Sequence, residues 1–257
     1  MFDKTLLHIA IGFTIREIMI PGKRLVTASD LPSAVQLLKE HPDFNLIPIQ
    51  NPHGRLVAFV DRHNSHEQTF NLHHHIVSDS MSILEIVDIL KDREFCFVMV
   101  DNKIGGYIHF SDLNSRTAEL AFYILTQAVE HHLLVGIRHH INLESLDQVL
   151  GEERAKFIKR NFERHRKNDA FLDLLRELYI DDILKYARHY RIFDMSDNEI
   201  NEIKQVRDSV SHAAPPLITV WNDDKQLAND IKRLARVKES CYEILGISKD
   251  SHTPTRR

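Results

Sequence analysis

The feature that most constrains this chain is a repeat in its first half. Ser29-Asp30-Leu31-Pro32-Ser33 opens the apolar helix Ala34-Val35-Gln36-Leu37-Leu38. The strand Asn45 to Gln50 follows, then the turn Asn51-Pro52-His53-Gly54, then a second strand, Arg55 to Asp61. The same order returns at an offset of roughly 48–49 positions, a period at which repeat architectures are sought. Ser78-Asp79-Ser80 precedes the helix Ile83 to Leu90. The strand Phe95 to Val100, the turn Asp101 to Gly105 and the strand Gly106 to Phe110 complete the second copy. Ser and Asp ahead of an apolar periodic run satisfy the free amides of a helix start. Short β-branched and aromatic runs between Asn, Pro and Gly turns read as strands. A helix followed by a hairpin, duplicated, buries a shared sheet face that neither copy buries alone. After about residue 115 the patterns are helical throughout.

Composition excludes several classes. Two cysteines, Cys96 and Cys241, leave no disulfide framework and no four-cysteine zinc site. The net charge of −4 does not fit a chain that coats polyanions as a whole. Eight glycines and the absence of GxxxxGK[ST] and GxGxxG argue against phosphate loops of those kinds. Leu6 to Ile15 runs into Arg16-Glu17 and reads as core rather than as a leader, and no apolar run reaches the ~20 residues of a span. A cytoplasmic protein without a membrane segment is expected. Histidine is abundant at 17 residues. Even so, the adjacent His73-His74-His75 cannot share one helix face, so no metal site is expected.

The repeated half, from about residue 10 to 115, resembles a tandem pair of CBS (cystathionine-beta-synthase) domains, the Bateman-type α+β module. The stretch that carries the resemblance most specifically is Gly106-Tyr107-Ile108-His109-Phe110-Ser111-Asp112-Leu113. His109 stands where the family pattern has Ser or Thr, and Asp112 stands at the position that typically holds a ribose. In the first copy, Asp61 takes the hydroxyl position and Asn64 the ribose position, so that copy departs further. The resemblance implies a regulatory cleft for an adenine nucleotide (AMP, ADP or ATP), with His109, Asp112, Asp61 and Asn64 as candidate contacts. An acidic Asp61 repels phosphate, so at most one good site is expected. Read from the residues alone, Asp112 instead caps the next helix.

The second half offers amphipathic helices over residues 117–135, 152–166, 171–192, 197–212 and 223–245, with Gly246 as a C-terminal cap. Ala213-Ala214-Pro215-Pro216 ends the fourth of them. Its last residues are Arg207-Asp208-Ser209-Val210-Ser211-His212, followed by a proline loop and a final long helix. This context resembles the HEPN superfamily (higher eukaryotes and prokaryotes nucleotide-binding), all-α helical bundles whose signature is Arg, a polar residue, a few variable positions and His. A second copy of the letters, Arg160 to His165, lies in a charged helix in mid-domain, and position favours the later one.

The resemblance implies a metal-independent ribonuclease with Arg207, Asp208 and His212 at its centre. Arginine donates bidentate hydrogen bonds to a phosphodiester. Histidine titrates near neutrality, which suits activation of a ribose 2′-hydroxyl. Asp208 would support the pair. Five residues of α-helix turn through about 140°, so Arg207 and His212 need a helix that ends between them or a facing second copy. The basic residues Lys159, Arg160, Arg164, His165, Arg166 and Lys167 read as a solvated face, or as a holder of RNA phosphates.

The expected organisation is a CBS pair over residues 1–115, with copies at about 10–66 and 67–115. A HEPN-like bundle over 116–247 follows, then a disordered tail over 248–257. A helix running unbroken from Asp112 into the bundle would couple them. The expected function is an adenine-nucleotide-responsive, homodimeric endoribonuclease that needs no cofactor for catalysis, by analogy a toxin or defence component. The alternative is a non-catalytic nucleotide sensor whose helices dimerise or dock a partner.

Overall fold

The computed structural model describes residues 5–42, 44–62, 66–71, 74–169, 171–211, 216–218 and 224–247. The chain forms two compact units. One is Ile11–Ala118, and the other gathers Met1–Ala10 with Glu119–Arg257. The boundary therefore lies a few residues beyond 115, and the first helix, α1 (Thr5–Gly12), groups mostly with the later helices rather than with the repeat.

The Ile11–Ala118 unit is built from two small sheets. Its elements in order are β1 (Ile20–Pro21), α2 (Leu31–Glu40), β2 (Leu46–Gln50), β3 (Leu56–Asp61), β4 (Glu67–Thr69), β5 (Ile76–Ser78), α3 (Ile83–Leu90), β6 (Phe95–Val100) and β7 (Lys103–His109). The strand orders are β2-β3-β4 and β1-β7-β6-β5. Asp30 caps α2 by accepting the Ser33 N–H at 2.9 Å. Ser82 and Glu85 cap α3 as a reciprocal box. The expected cap at Ser78 to Ser80 is thus displaced to Ser82, and Asp79 instead pairs with Arg16. The β6–β7 turn is also tighter than predicted. Asp101 and Asn102 both take positive φ, 47° and 63°, as a two-residue hairpin turn requires, and Lys103 already belongs to the strand.

Each sheet buries both faces. On β2 and β3, Ile47, Ile49, Ala58 and Val60 pack with Ala34 and Leu38 of α2. Leu46 and Phe59 point the other way and meet Phe97, with Phe70, Phe95 and Tyr107 around them. Phe59 and Phe97 stand 5.3 Å apart, and Phe95 lies edge-on to both. This aromatic seam is the shared face the repeat requires. The repeat-equivalent residues Asn45 and Glu94, 49 positions apart, touch at 3.5 Å.

The short strands change sheets. β1 lies in the first copy, ahead of its helix, yet pairs with β7 of the second, Ile20 opposite Tyr107 and Pro21 opposite Gly106. β4, at the start of the second copy, pairs with β3 of the first. A Cβ on Gly106 would come within 2.8 Å of the Ile20 carbonyl oxygen and 2.9 Å of Met19 Sδ, so glycine is what lets β1 approach.

After β7 the chain makes a 3-10 turn, Phe110–Asn114, and Ser115 is extended before α4 (Arg116–Ile137) begins. The continuous helix expected from Asp112 is therefore broken at Ser115, whose hydroxyl caps the new helix at the Ala118 N–H, 3.3 Å away. The unit beginning at Glu119 continues with α5 (Ser145–Leu150), α6 (Glu152–Arg166), α7 (Ile180–His189), α8 (Asp197–Ser211) and α9 (Asp224–Ile244). The single helix expected over 171–192 is two elements. Asp173 caps a 3-10 turn at Leu174–Glu177. The chain is then extended at Leu178 and Tyr179, and Asp182 turns back to accept the Tyr179 N–H at 2.9 Å. Two local caps thus outweigh the continuous apolar period.

Along α4 the residues Ala118, Phe122, Leu125, Val129, Leu133 and Ile137 are fully buried. Arg116–His140 is long and apolar enough to cross a membrane by length and composition, with a window of mean hydropathy 1.3, of which 44% is buried. A search for unbroken apolar runs misses it, because Gln127, Glu130, His131 and His132 interrupt the pattern.

Candidate functional site

Described residues of the Ile11–Ala118 unit line two cavities that border the aromatic seam, one through Leu46 and Tyr107 and the other through Phe59 and Phe95. The first, of about 240 Å³, is lined by Arg24, Leu25, Val26, Phe44, Leu46, Pro48, Tyr107, His109 and Ser111, among others. Its wall is mainly apolar and aromatic, with a guanidinium and the polar edge of the β7 end. The second, of about 360 Å³, is lined by Phe59, Asp61, Gln68, His74, His75, Asp92, Arg93 and Phe95. Gln68 donates to the Asp61 carboxylate there. The predicted contacts are therefore divided. His109 lies in the first cavity, with Asp112 next to Ser111 in sequence, and Asp61 lies in the second. Asn64 lies outside the described residues, as does His73.

The segment 107–112 is locked by its own hydrogen bonds. The His109 Nδ1 lies 2.8 Å from the Ser111 hydroxyl and accepts the Ser111 N–H at 3.3 Å. Its Nε2 lies 3.5 Å from Asn45 Nδ2. The ring lies between Tyr107 and Phe110. Burial holds the imidazole down to about 4, so it is neutral at physiological pH. Asp112 accepts the His109 N–H at 2.8 Å and so closes a capping box around the 3-10 turn. It does not cap α4, which corrects the reading from residues alone. Burial pushes the Asp112 carboxyl up to about 6, against the opposing pull of that backbone hydrogen bond. Its Oδ1 accepts no hydrogen bond from the described residues.

One supporting residue escaped the sequence reading. Arg62 donates from Nη2 to the carbonyls of Leu38, His41 and Phe44, and from Nε to Phe44 again. It ties the end of α2 to the strand that follows and so fixes Phe44 and Asn45 at the first cavity. The only signal was an arginine next to Asp61 at the end of a strand. Repetition could not have found it, because the equivalent position 49 residues on is Ser111.

In the helical unit, Arg207 lies near the end of α8 with its Nε buried and without a hydrogen-bond partner among the described residues. Its Nη1 lies 3.4 Å from Asp208 Oδ1. One helical turn further on, the Ser211 hydroxyl is likewise buried without a partner. His212 lies outside the described residues, so Arg207 and Asp208 are the part of the predicted triad the structure places. Arg160 and His165 are not brought together. His165 Nδ1 contacts Glu177 at 2.8 Å, while Arg160 sits over the Phe157 ring. Cys96 and Cys241 are buried, their thiols pushed up to about 11 and about 12, which makes them unreactive. Among the described residues no group of three or more His, Cys, Asp or Glu is placed to hold a metal ion.

No protein-family model matches the chain, and no curated protein does. Among solved structures, the CBS domain of a bacterial CNNM/CorC family Mg2+ transporter in complex with ATP is similar at 15% identity and TM-score 0.35. That match covers 45% of this chain and 92% of that one. CBSX2 in complex with AMP is similar at 15% identity and TM-score 0.34, over 40% of this chain and 94% of that one. The CBS domains of a transcriptional regulator from Streptococcus pneumoniae are similar at 16% identity and TM-score 0.31, over 39% and 96%. The similar part is the N-terminal one, with its mixed helices and strands.

Proposed function

We propose that residues 11–118 form a CBS pair that binds one adenine nucleotide in the first cavity, and that the protein is a nucleotide-responsive regulator. The carrying observation is the cavity itself. Phe44, Leu46, Pro48 and Tyr107 offer a wall for a base and Arg24 a cation for phosphate, and Asp112, next in sequence to the lining residue Ser111, has an Oδ1 to accept ribose hydroxyls. The second cavity holds two carboxylates, Asp61 and Asp92, and is the poorer host for a phosphate. Titration calorimetry with AMP, ADP and ATP tests this reading. One site per chain is expected, weakened at least about tenfold in both Arg24→Gln and Asp112→Ala, as loss of a charged hydrogen bond predicts. Saturable binding unaffected by either change would overturn the assignment.

A second reading has one observation in its favour. Arg207 keeps a buried Nε with no hydrogen-bond partner among the described residues, on the motif of the helical unit. An arginine held ready for an anion in this way supports the metal-independent endoribonuclease, with Asp208 and His212 as its partners and a homodimer as its form. RNA cleavage by the whole protein in EDTA tests it. Activity lost in His212→Ala and kept in His165→Ala is expected. No cleavage by wild type, with or without nucleotide, leaves a non-catalytic regulator.

A further inference from the structure

α6 and the segment after it bear exposed aromatic rings, and α6 bears cations with no carboxylate partner among the described residues. Phe157 is 37% exposed, Tyr179 57% and Phe171 97%. Exposing three rings in one neighbourhood of the chain forgoes their burial, and two of them are held in place. The Arg154 guanidinium lies 5.2 Å from the centre of the Phe157 ring and 4.8 Å from that of Tyr179. It is in turn fixed by a two-point contact with the buried Asp182, at 2.9 and 2.5 Å. The rings are therefore preorganised rather than loose.

Down the same helix face, Phe157, Arg160, Arg164 and Lys167 follow at i, i+3, i+7 and i+10, a line about 15 Å long. All four are exposed. Arg160, Arg164, Arg166 and Lys167 make no ion pair with a carboxylate among the described residues. Arg154 pairs with Asp182, Lys156 with Glu152 and Lys159 with Asp147, and the His165 ring hydrogen-bonds Glu177. Between residues 160 and 167 the one carboxylate is Glu163. A row of cations without carboxylate partners among the described residues, Arg160 over Phe157 and Arg164 beside His165, complements a polyanion that also carries flat apolar faces. An acidic peptide answers the cations but gives the rings no stacking partner.

We infer that this face of α6, with Tyr179 and Phe171, binds single-stranded nucleic acid, phosphates along Arg160, Arg164 and Lys167 and bases against the rings. It belongs to the helical unit, whereas the nucleotide cavity belongs to Ile11–Ala118, and it needs no cleavage chemistry. The test is fluorescence anisotropy of the whole protein in EDTA, with a labelled oligouridylate of about a dozen nucleotides, a length suited to one such surface. The expected result is saturable binding whose logarithm falls with the logarithm of salt at a slope of about −2 to −3, as three or four neutralised phosphates give.

The double variant Arg160→Gln/Arg164→Gln should weaken binding at least about tenfold and flatten that slope by about 1.4. Phe157→Ala and Phe171→Ala should each weaken it by about fivefold or more at unchanged slope, whereas Lys91→Gln, a cation of the other unit, should change nothing. Oligothymidylate competing as well as oligouridylate would also support the inference. Absence of saturable binding, equal affinity for a duplex, unchanged affinity in the double variant, or displacement by polyglutamate as effective as by oligouridylate would each overturn it. Circular dichroism of the variants separates lost contacts from lost folding.

Discussion

Asp112 is held up at about 6 because it is buried, although it accepts a backbone N–H. Its folded value lies above the ~4 of a free carboxyl, so the folded state binds the proton more tightly than the unfolded chain. The stability this proton confers is fully present below pH ~4 and is lost as the pH rises through about 6. Replacing Asp112 by Asn keeps an acceptor for the His109 N–H and removes the buried charge. The melting temperature at pH 7.5 should therefore rise relative to wild type, and the difference should shrink as the pH falls and vanish below about pH 4. Ligand binding has the opposite slope. Ribose hydroxyls donate to the ionised carboxylate, so nucleotide affinity should climb as pH rises from 5 to 7 and then level off. His109, at about 4, stays neutral across that range and leaves the profile to Asp112. Calorimetric affinities at several pH values check this, and a flat profile would detach Asp112 from the ligand. The sequence showed Asp112 and its neighbours, but not the proton affinity, which comes from burial that no short motif encodes.

At the scale of elements, local signals and tertiary anchors compete. The helix over 171–192 has an apolar period long enough for one continuous element, yet Asp173 and Asp182 interrupt it. Asp182 is 1% exposed and serves two structures at once, the Arg154 guanidinium and the start of α7. Asp182→Ala should cost about 3–5 kcal/mol in urea unfolding, because it leaves Arg154 without its partner. A loss under 1 kcal/mol would mean that the break is set elsewhere. Arg62 plays a similar part at the end of α2. Arg62→Met should weaken nucleotide binding by loosening Phe44 and Asn45, without touching the ligand itself. Hairpins and caps close in sequence were readable, as at Asp30 and in β2 and β3. The pairing of β1 with β7 was not, because a two-residue strand has no period, and its partner was marked only by Gly106. Gly106→Ala should lower the melting temperature by several degrees, since its Cβ meets the Ile20 carbonyl.

At the scale of the whole molecule, strand and helix periods leave different marks in the sequence, which placed an expected division near residue 115, while the compact units divide at Ala118 and Glu119. The sequence did not reveal that the first helix groups with the last ones, since an apolar decapeptide fits either core. A nucleotide present at about a hundred times its Kd should stabilise the unit it binds by about 2.7 kcal/mol. Hydrogen exchange should then slow first in residues 44–48 and 107–111, which line the same cavity. The exchange of short strands between the two sheets also sets an order of events during synthesis. Ile20 pairs with Tyr107. A ribosome that adds about 5–20 residues per second leaves the first edge waiting roughly ten seconds for its partner. Throughout that interval the growing chain presents an open sheet edge, so chaperone demand should be concentrated in the first half of translation. A circular permutant that begins at β5 and carries β1 behind β7 should emerge with that edge already closed.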